Sequence, residues 1–331
     1  KKGKISIDTI YFGGGTPSTL PVECIAQIVD ALKEHKYWQE PAEATIEVNP
    51  GTADLEKLKA LRSLGFDRIS FGVQSLNDVE LKTIGRIHSA QEALQAIAWA
   101  KEAGFNRISA DLIYGLPGQT MTSLRKTLEE LTATGIEHVS VYGLIVEEST
   151  PLCTLINEGK LSLPDEDTAA DMYEFVQGFL KEQGFERYEI SNYAKNEQYS
   201  KHNLVYWKYQ PYAAFGAAAC GFDGSSRFTA SEAVSEYINQ TQAAVTYNEE
   251  NLSYEELLGE FMFMGLRKTS GANLREARER FGIDVMEHFA SEMEPFFQKG
   301  MLAYDSEKEV LYLTEAGMEL GNLIFEIFVT I

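Results

Sequence analysis

One phrase returns three times along the chain: Leu64-Gly65-Phe66-Asp67-Arg68-Ile69-Ser70, Ala103-Gly104-Phe105-Asn106-Arg107-Ile108-Ser109 and Thr134-Gly135-Ile136-Glu137-His138-Val139-Ser140, at steps of 39 and 31 residues. Each copy follows a segment with helical apolar spacing, such as Leu55, Leu58, Leu61 and Leu64, and leads into a β-branched or aromatic run. The glycine reads as the residue just past a helix end, and the phrase as a helix-to-strand junction. Junctions repeated at this spacing make βαβ units, which demand a parallel sheet with right-handed crossovers. The pattern predicts strands near 5–12, 43–48, 68–73, 106–113 and 138–144, and helices near 21–36, 54–64, 77–84, 89–103 and 120–133. A further helix opens after Pro164 and runs to about 183, and the run Arg187 to Ser191 is the candidate sixth strand.

From about residue 250 the texture changes. Apolar helical patterns at 252–267, 273–281 and 285–298 precede two strand-like runs, Met301 to Tyr304 and Val310 to Leu313, and a last helix from Thr314. Helices followed by a hairpin suggest a winged-helix-like module. Such modules often bind DNA, but residues 251–331 carry 7 basic against 15 acidic side chains, and the whole chain has a formal charge of −21. That field repels phosphate backbones and anionic membrane surfaces, which argues against nucleic acid as a partner. No run of about 18 apolar residues is present, so no membrane span is expected. Cys24, Cys153 and Cys220 are an odd number at wide spacing, which fits neither a disulfide framework nor a CxxC metal motif and suits a reducing cytoplasm.

In parallel α/β folds the strand C-termini and the loops after them build the site. The first strand runs into Gly13-Gly14-Gly15-Thr16-Pro17-Ser18, where three glycines permit positive φ and close backbone approach to a ligand. No Lys-Ser/Thr pair follows, so this is no Walker loop, and an ordinary tight turn is the competing reading. The next three strands place Glu47, Gln74 and Asp111 within or at the end of apolar runs. A lone buried carboxylate is costly unless paired. Three such groups on successive strands fit one shared polar ligand, such as ribose hydroxyls and an ammonium, although each alone could bond a neighbouring loop. Arg86 is the candidate cation for a ligand carboxylate, against the plain alternative of a surface arginine.

At these residues the sequence closely resembles the radical S-adenosylmethionine (SAM) superfamily, and within it the HemN/HemW group of coproporphyrinogen-oxidase-like proteins. The resemblance rests on the Gly13 to Pro17 loop, Glu47-Val48-Asn49-Pro50, Gly72-Val73-Gln74-Ser75 and Asp111 to Thr120, and covers essentially the whole chain. It implies a partial (β/α)6 barrel with SAM at the strand C-terminal face, bound by Gly13, Gly14, Gly15, Thr16, Glu47, Gln74, Arg86 and Asp111. It also implies a [4Fe–4S] cluster held by three thiolates of a Cys-x3-Cys-x2-Cys loop. This chain has no such loop, and the expectation is that loop and first strand precede Lys1.

Two branches share that scaffold: an oxygen-independent coproporphyrinogen III oxidase and a haem chaperone that delivers haem to acceptor haemoproteins. Glu189-Ile190-Ser191-Asn192-Tyr193-Ala194 and His202-Asn203-Leu204-Val205-Tyr206-Trp207 look like the chaperone branch. Imidazole ligates haem iron and aromatic faces pack on a porphyrin, which makes His202 the haem candidate. A third reading is a cluster-less protein whose barrel only holds a nucleotide-like ligand. One departure stands out: where relatives carry a Tyr-x-Gly-x-Gly-x-Gly-Ala run, this chain reads Tyr212 to Ala219 with Ala214 and Ala218 at two of the glycine positions. The expected organisation is a barrel over 1–195, a connecting segment over 196–250 and a helical, winged-helix-like domain over 251–331.

Overall fold

The computed structural model describes residues 7–41, 43–242 and 245–329. The chain divides into two compact units, Lys1–Arg187 with Ser191–His202, and Tyr188–Ile190 with Asn203–Ile331. The segment 196–250 forms no unit of its own.

In the first unit five parallel strands follow one another in sheet order: β1 (Thr9–Phe12), β2 (Glu43–Val48), β3 (Arg68–Gln74), β4 (Arg107–Tyr114) and β5 (His138–Gly143). The first two residues of the strand expected at 5–12 lie outside the described residues. Helices α1 (Val22–Glu34), α2 (Leu55–Leu64), α3 (Asp78–Thr83), α4 (Ala90–Glu102) and α5 (Met121–Ala133) make the connections, and α6 (Pro151–Asn157) and α7 (Glu166–Glu182) follow β5. The repeated phrase does what its composition requires: Gly65, Gly104 and Gly135 all adopt positive φ, at 113°, 89° and 72°, each ending a helix. Phe66, Phe105 and Ile136 beside them are buried.

The candidate sixth strand is a correction. Instead of a parallel strand over 187–191 there are two short antiparallel ones, β6 (Glu186–Arg187) and β7 (Asn192–Ala194), β7 pairing with β5. The backbone of the residues between them is used elsewhere: Ile190 N–H donates to the Arg267 carbonyl, and Thr269 N–H to that of Tyr188, inside the second unit.

Strand alternation sorts the side chains into two layers. Ile46, Val48, Ile69, Phe71, Val73, Ala110, Leu112 and Val139 face outward into one core with Leu58 and Leu61 of α2, Ala96 and Ile97 of α4, Leu124 and Leu128 of α5 and Val176 of α7. The inward positions are polar almost throughout: Thr9 and Tyr11, then Glu43, Thr45 and Glu47, then Arg68, Ser70 and Gln74, then Arg107, Ser109 and Asp111, then His138 and Ser140.

In the second unit α8 (Lys201–Trp207), which starts two residues before the division, leads to an antiparallel sheet of β8 (Cys220–Phe222), β9 (Ser226–Ala230) and β10 (Tyr247–Asn251), with α9 (Val234–Thr241) between the last two. Then come α10 (Tyr254–Leu266), β11 (Ala272–Asn273), α11 (Leu274–Phe281), α12 (Val285–His288), α13 (Ala290–Gln298), the hairpin β12 (Leu302–Asp305) and β13 (Val310–Leu313), α14 (Glu315–Glu319) and α15 (Gly321–Val329). The two residues of β11 add a third strand to the hairpin, in order β11-β13-β12. One expected helix, 285–298, is two, divided at Phe289.

Candidate active site at the barrel rim

The glycine loop leaves β1 with Gly13, Gly14 and Gly15 exposed and Gly14 at φ 104°. Space around Gly14 and Gly15 is open, but a Cβ on Gly13 would come within 2.6 Å of the Tyr11 ring and 2.9 Å of Glu47 Oε1. The loop is thus a backbone cradle pressed against Glu47. Thr16 ends it, its carbonyl accepting from Thr19 N–H as a short 3-10 turn begins. Beneath, buried Ser18 binds Thr52 Oγ1 at 2.6 Å and accepts from the Asn49 N–H, which ties the loop to the end of β2.

Glu47 accepts a 2.6 Å hydrogen bond from the Tyr11 hydroxyl, and the Gly14 N–H also favours its charged form. Burial raises its pKa, and these two donors only partly offset that. Asp111 is pushed up to about 6, first by burial and also by the charge of Glu47, against the stabilising pull of Ser140, Arg68 and Ser70. Two carboxylates held in one small volume at such cost are poised for a cationic or hydroxyl-bearing ligand. On β3 the pairing with β4 is irregular between Phe71 and Gln74, and Gln74 stands at φ 65°. That left-handed conformation costs a non-glycine residue about 1 kcal/mol or more. It brings the amide beside Arg86: a Cβ on Gly72 would lie 3.1 Å from Gln74 Nε2 and 3.3 Å from Arg86 Nη2. Burial lowers the Arg86 pKa, and Asp111 opposes that. Gly13 to Gly15, Glu47, Asp111, Gln74 and Arg86 therefore converge on one rim, from four neighbouring strands.

His202 does not join them. It sits at the opposite end of the barrel, where Glu43 accepts from the backbone N–H groups of Lys201 and His202 and pairs with Arg107 at 2.6 Å. Its Nδ1 is 2.8 Å from Thr9 Oγ1, and its ring stacks on Tyr11 with centroids 4.9 Å apart and planes inclined by 21°. Burial lowers its pKa to about 4, so the imidazole is neutral at pH 7. The aromatic faces of that motif have protein neighbours in the second unit: Arg267 lies 4.4 Å from the Trp207 ring centre, and Tyr206 meets Tyr212 edge-on at 4.7 Å.

Two family models match the chain, the radical SAM superfamily over residues 1–131 and the HemN C-terminal domain over 252–320. A Bacillus subtilis (strain 168) protein named heme chaperone HemW is 38% identical over 331 residues, covering 99% of this chain and 87% of that one. This chain belongs to the HemN/HemW group of the radical SAM superfamily. A second heme chaperone HemW, from Lactococcus lactis subsp. lactis (strain IL1403), is 36% identical over 97% of this chain and 84% of its own. Among solved structures, coproporphyrinogen III oxidase (HemN) from Escherichia coli has the same fold, with a TM-score of 0.83 at 21% identity, covering 98% of this chain and 78% of that one.

Membership in the radical SAM superfamily implies SAM and a [4Fe–4S] cluster, and the two fare differently here. The rim fits SAM: the Gly13 cradle would be filled by a single Cβ, and two costly carboxylates, an amide and a guanidinium surround it. The cluster does not fit the residues of this chain. Cys24, Cys153 and Cys220 lie on α1, α6 and β8, and no group of three or more His, Cys, Asp or Glu among the described residues could hold a metal ion. No helix of the described residues is long and apolar enough to cross a membrane.

Sequence reasoning missed Tyr11, Arg68, Ser70 and Ser140 as members of this polar cluster. The signal was in the repeated phrase itself. Its fifth and seventh positions, Arg68 and Ser70, Arg107 and Ser109, His138 and Ser140, are polar at a spacing of two inside strands, which puts them on the inner face.

Proposed function

We propose that this chain is a haem chaperone of the HemW type, holding SAM on its barrel rim and carrying haem for delivery to acceptor haemoproteins. The observation that carries the proposal is the complete rim set, present together with the His202 to Trp207 motif. In this reading the Gly13 to Gly15 backbone takes the methionine end of SAM, and Glu47 accepts from its ammonium. Arg86 faces its carboxylate. Asp111 and Gln74 bond the ribose hydroxyls, Asp111 being ionised at pH 7. Bound SAM supplies a sulfonium that a one-electron donor can reduce to start hydrogen-abstraction chemistry. The rim residues orient it and keep water from its carboxylate and ammonium; no step is assigned to a cluster that this chain's cysteines do not form.

Haem is the cargo. His202 is its proposed ligand, with a neutral imidazole whose orientation is fixed through Thr9, the arrangement that outer-shell partners impose on metal-binding histidines. The names of the relatives favour the chaperone over the oxidase, since HemW proteins match nearly end to end at 36–38% identity. A reducing cytoplasm suits three unpaired cysteines. The test is a haem titration followed by transfer to an apo-haemoprotein. Binding and transfer are expected, with the affinity reduced and the absorption spectrum changed in His202→Ala. Consumption of coproporphyrinogen in the presence of SAM and reductant would overturn the chaperone in favour of the oxidase. A barrel that binds SAM but no haem would leave the simple ligand-binding reading.

A further inference from the structure

We propose that Tyr11 is a positioning residue that links His202 at one end of the barrel to Glu47 at the other, so that occupancy of the histidine and of the SAM rim oppose each other. The identity of the two ligands rests on the function proposed above; the link between the side chains does not.

Thr9 and Tyr11 lie two apart on β1, so both side chains enter the barrel. His202 is bonded to the first and stacked on the second. The Tyr11 hydroxyl donates to Glu47 Oε1 at 2.6 Å, and Glu47 in turn lies against the glycine loop at Gly13. There is no slack in this chain of contacts, because a Cβ on Gly13 would collide with the Tyr11 ring and the Glu47 carboxylate at once. Burial, together with the charge and the hydrogen bond of Glu47, raises the Tyr11 pKa well above its ordinary value, so the hydroxyl stays protonated and remains a donor. The other end of the relay is anchored, since Glu43 accepts from the backbone of Lys201 and His202 while paired to Arg107. Against that anchored backbone, a change in the orientation of the His202 ring reaches Tyr11 through the stack.

A group that draws the imidazole off the Tyr11 ring removes the packing that holds this phenol against Glu47, and the hold of Glu47 on an ammonium loosens. By linkage the reverse follows with the same factor: SAM on the rim fixes Glu47 and Tyr11, favours the stacked histidine and disfavours any iron bound to it. SAM binding would thus favour haem release.

The decisive experiment uses the ligand-free chain. Urea unfolding midpoints are measured for His202→Ala, Glu47→Gln and the double variant, in wild-type and Tyr11→Leu backgrounds. The effects of the two substitutions are expected to be non-additive with Tyr11 present and additive in Tyr11→Leu; additivity in both overturns the relay. His202→Gln, which keeps a polar group for Thr9 and loses the stack, replaces His202→Ala if the latter does not fold. A second measurement follows SAM by equilibrium dialysis with and without haemin. Haemin is expected to weaken SAM binding by about fivefold or more in the wild type and to have no effect in Tyr11→Phe. An unchanged or tighter SAM affinity in the wild type overturns the antagonism. If haemin fails to bind while the unfolding cycle is non-additive, the haem reading falls and the relay stands.

Discussion

The two ends of the barrel are built from the same kinds of side chain on the same strands, and they differ in where the partners come from. At the strand N-terminal end Glu43, Arg107, Thr9, His202, Ser109 and His138 bond one another. Glu43 is fully buried and its carboxylate accepts from Arg107, Lys201 and His202, while the Ser109 hydroxyl meets His138 Nδ1 at 2.7 Å. At the rim Glu47 and Asp111 are kept at raised pKa, Arg86 at lowered pKa and Gln74 in a strained backbone conformation. A polar group whose partners are internal stabilises the fold; one held ready at a cost serves something that arrives later. The position along a strand, more than the residue type, separates the groups with internal partners from those held ready at a cost, with His202, the proposed haem ligand, as the exception at the floor.

The largest expected effect is at the floor. Glu43→Ala leaves Arg107 without its principal anion in a buried setting and frees two backbone donors, and should cost about 3–5 kcal/mol, read from urea unfolding. A loss under about 1 kcal/mol would mean that the two ends are not distinct. At the rim the opposite pattern is expected. Asp111→Asn should weaken SAM binding about tenfold or more, the scale of a charged hydrogen bond, with no loss of stability at neutral pH. Binding by dialysis and unfolding by urea read the two effects separately.

Acid–base behaviour sharpens the contrast. Asp111 titrates near 6 in the folded chain against an ordinary value of 3.8, so the folded state holds a proton that the unfolded state has released. Its contribution to stability therefore falls as pH rises from about 4 to 6, and Asp111→Asn should remove that decline. His202 runs the other way. Its folded pKa of about 4 lies below the ordinary 6.5, so its contribution is present above pH 6.5 and is lost as pH falls towards 4. Unfolding measured from pH 4 to 7 on the wild type and on Asp111→Asn and His202→Gln should show these opposite slopes as wild-type-minus-variant differences.

The smallest effect concerns strain. Gln74 at the rim and Ala218 in the second unit both stand at positive φ, 65° and 60°. Ala218 stands at a position where the family resemblance led to an expected glycine. Ala218→Gly should add about 0.5–1 kcal/mol and leave SAM binding unchanged, whereas Gln74→Gly should gain similar stability and lose SAM affinity. Equal SAM affinity in both variants would remove Gln74 from the site.

Much of this architecture was legible in the sequence because it is local. The glycines of the repeated phrase mark helix ends by their own conformational needs, and Gly13, Glu47, Gln74 and Asp111 stand at strand ends that the apolar pattern locates. What could not be read depends on distant pairs. Glu43 and Arg107 are 64 residues apart and His202 and Thr9 are 193 apart, so neither sequence neighbourhood hints at the other. The antiparallel closure by β6 and β7 escaped for a similar reason, since Tyr188 and Ile190 look like a strand and spend their backbone bonds on Thr269 and Arg267. The sheet of β8, β9 and β10 was invisible because its strands are short and β10 is exposed throughout, so no alternating apolar face announces it.

The most direct measurement is a calorimetric titration of SAM into the wild type and into the double variant Glu47→Gln/Asp111→Asn. One site per chain is expected in the wild type, and binding weaker by about a hundredfold in a double variant whose urea midpoint has not fallen. Equal affinity in the two proteins would contradict the account, because the groups held on the rim at such cost would then have no ligand to serve.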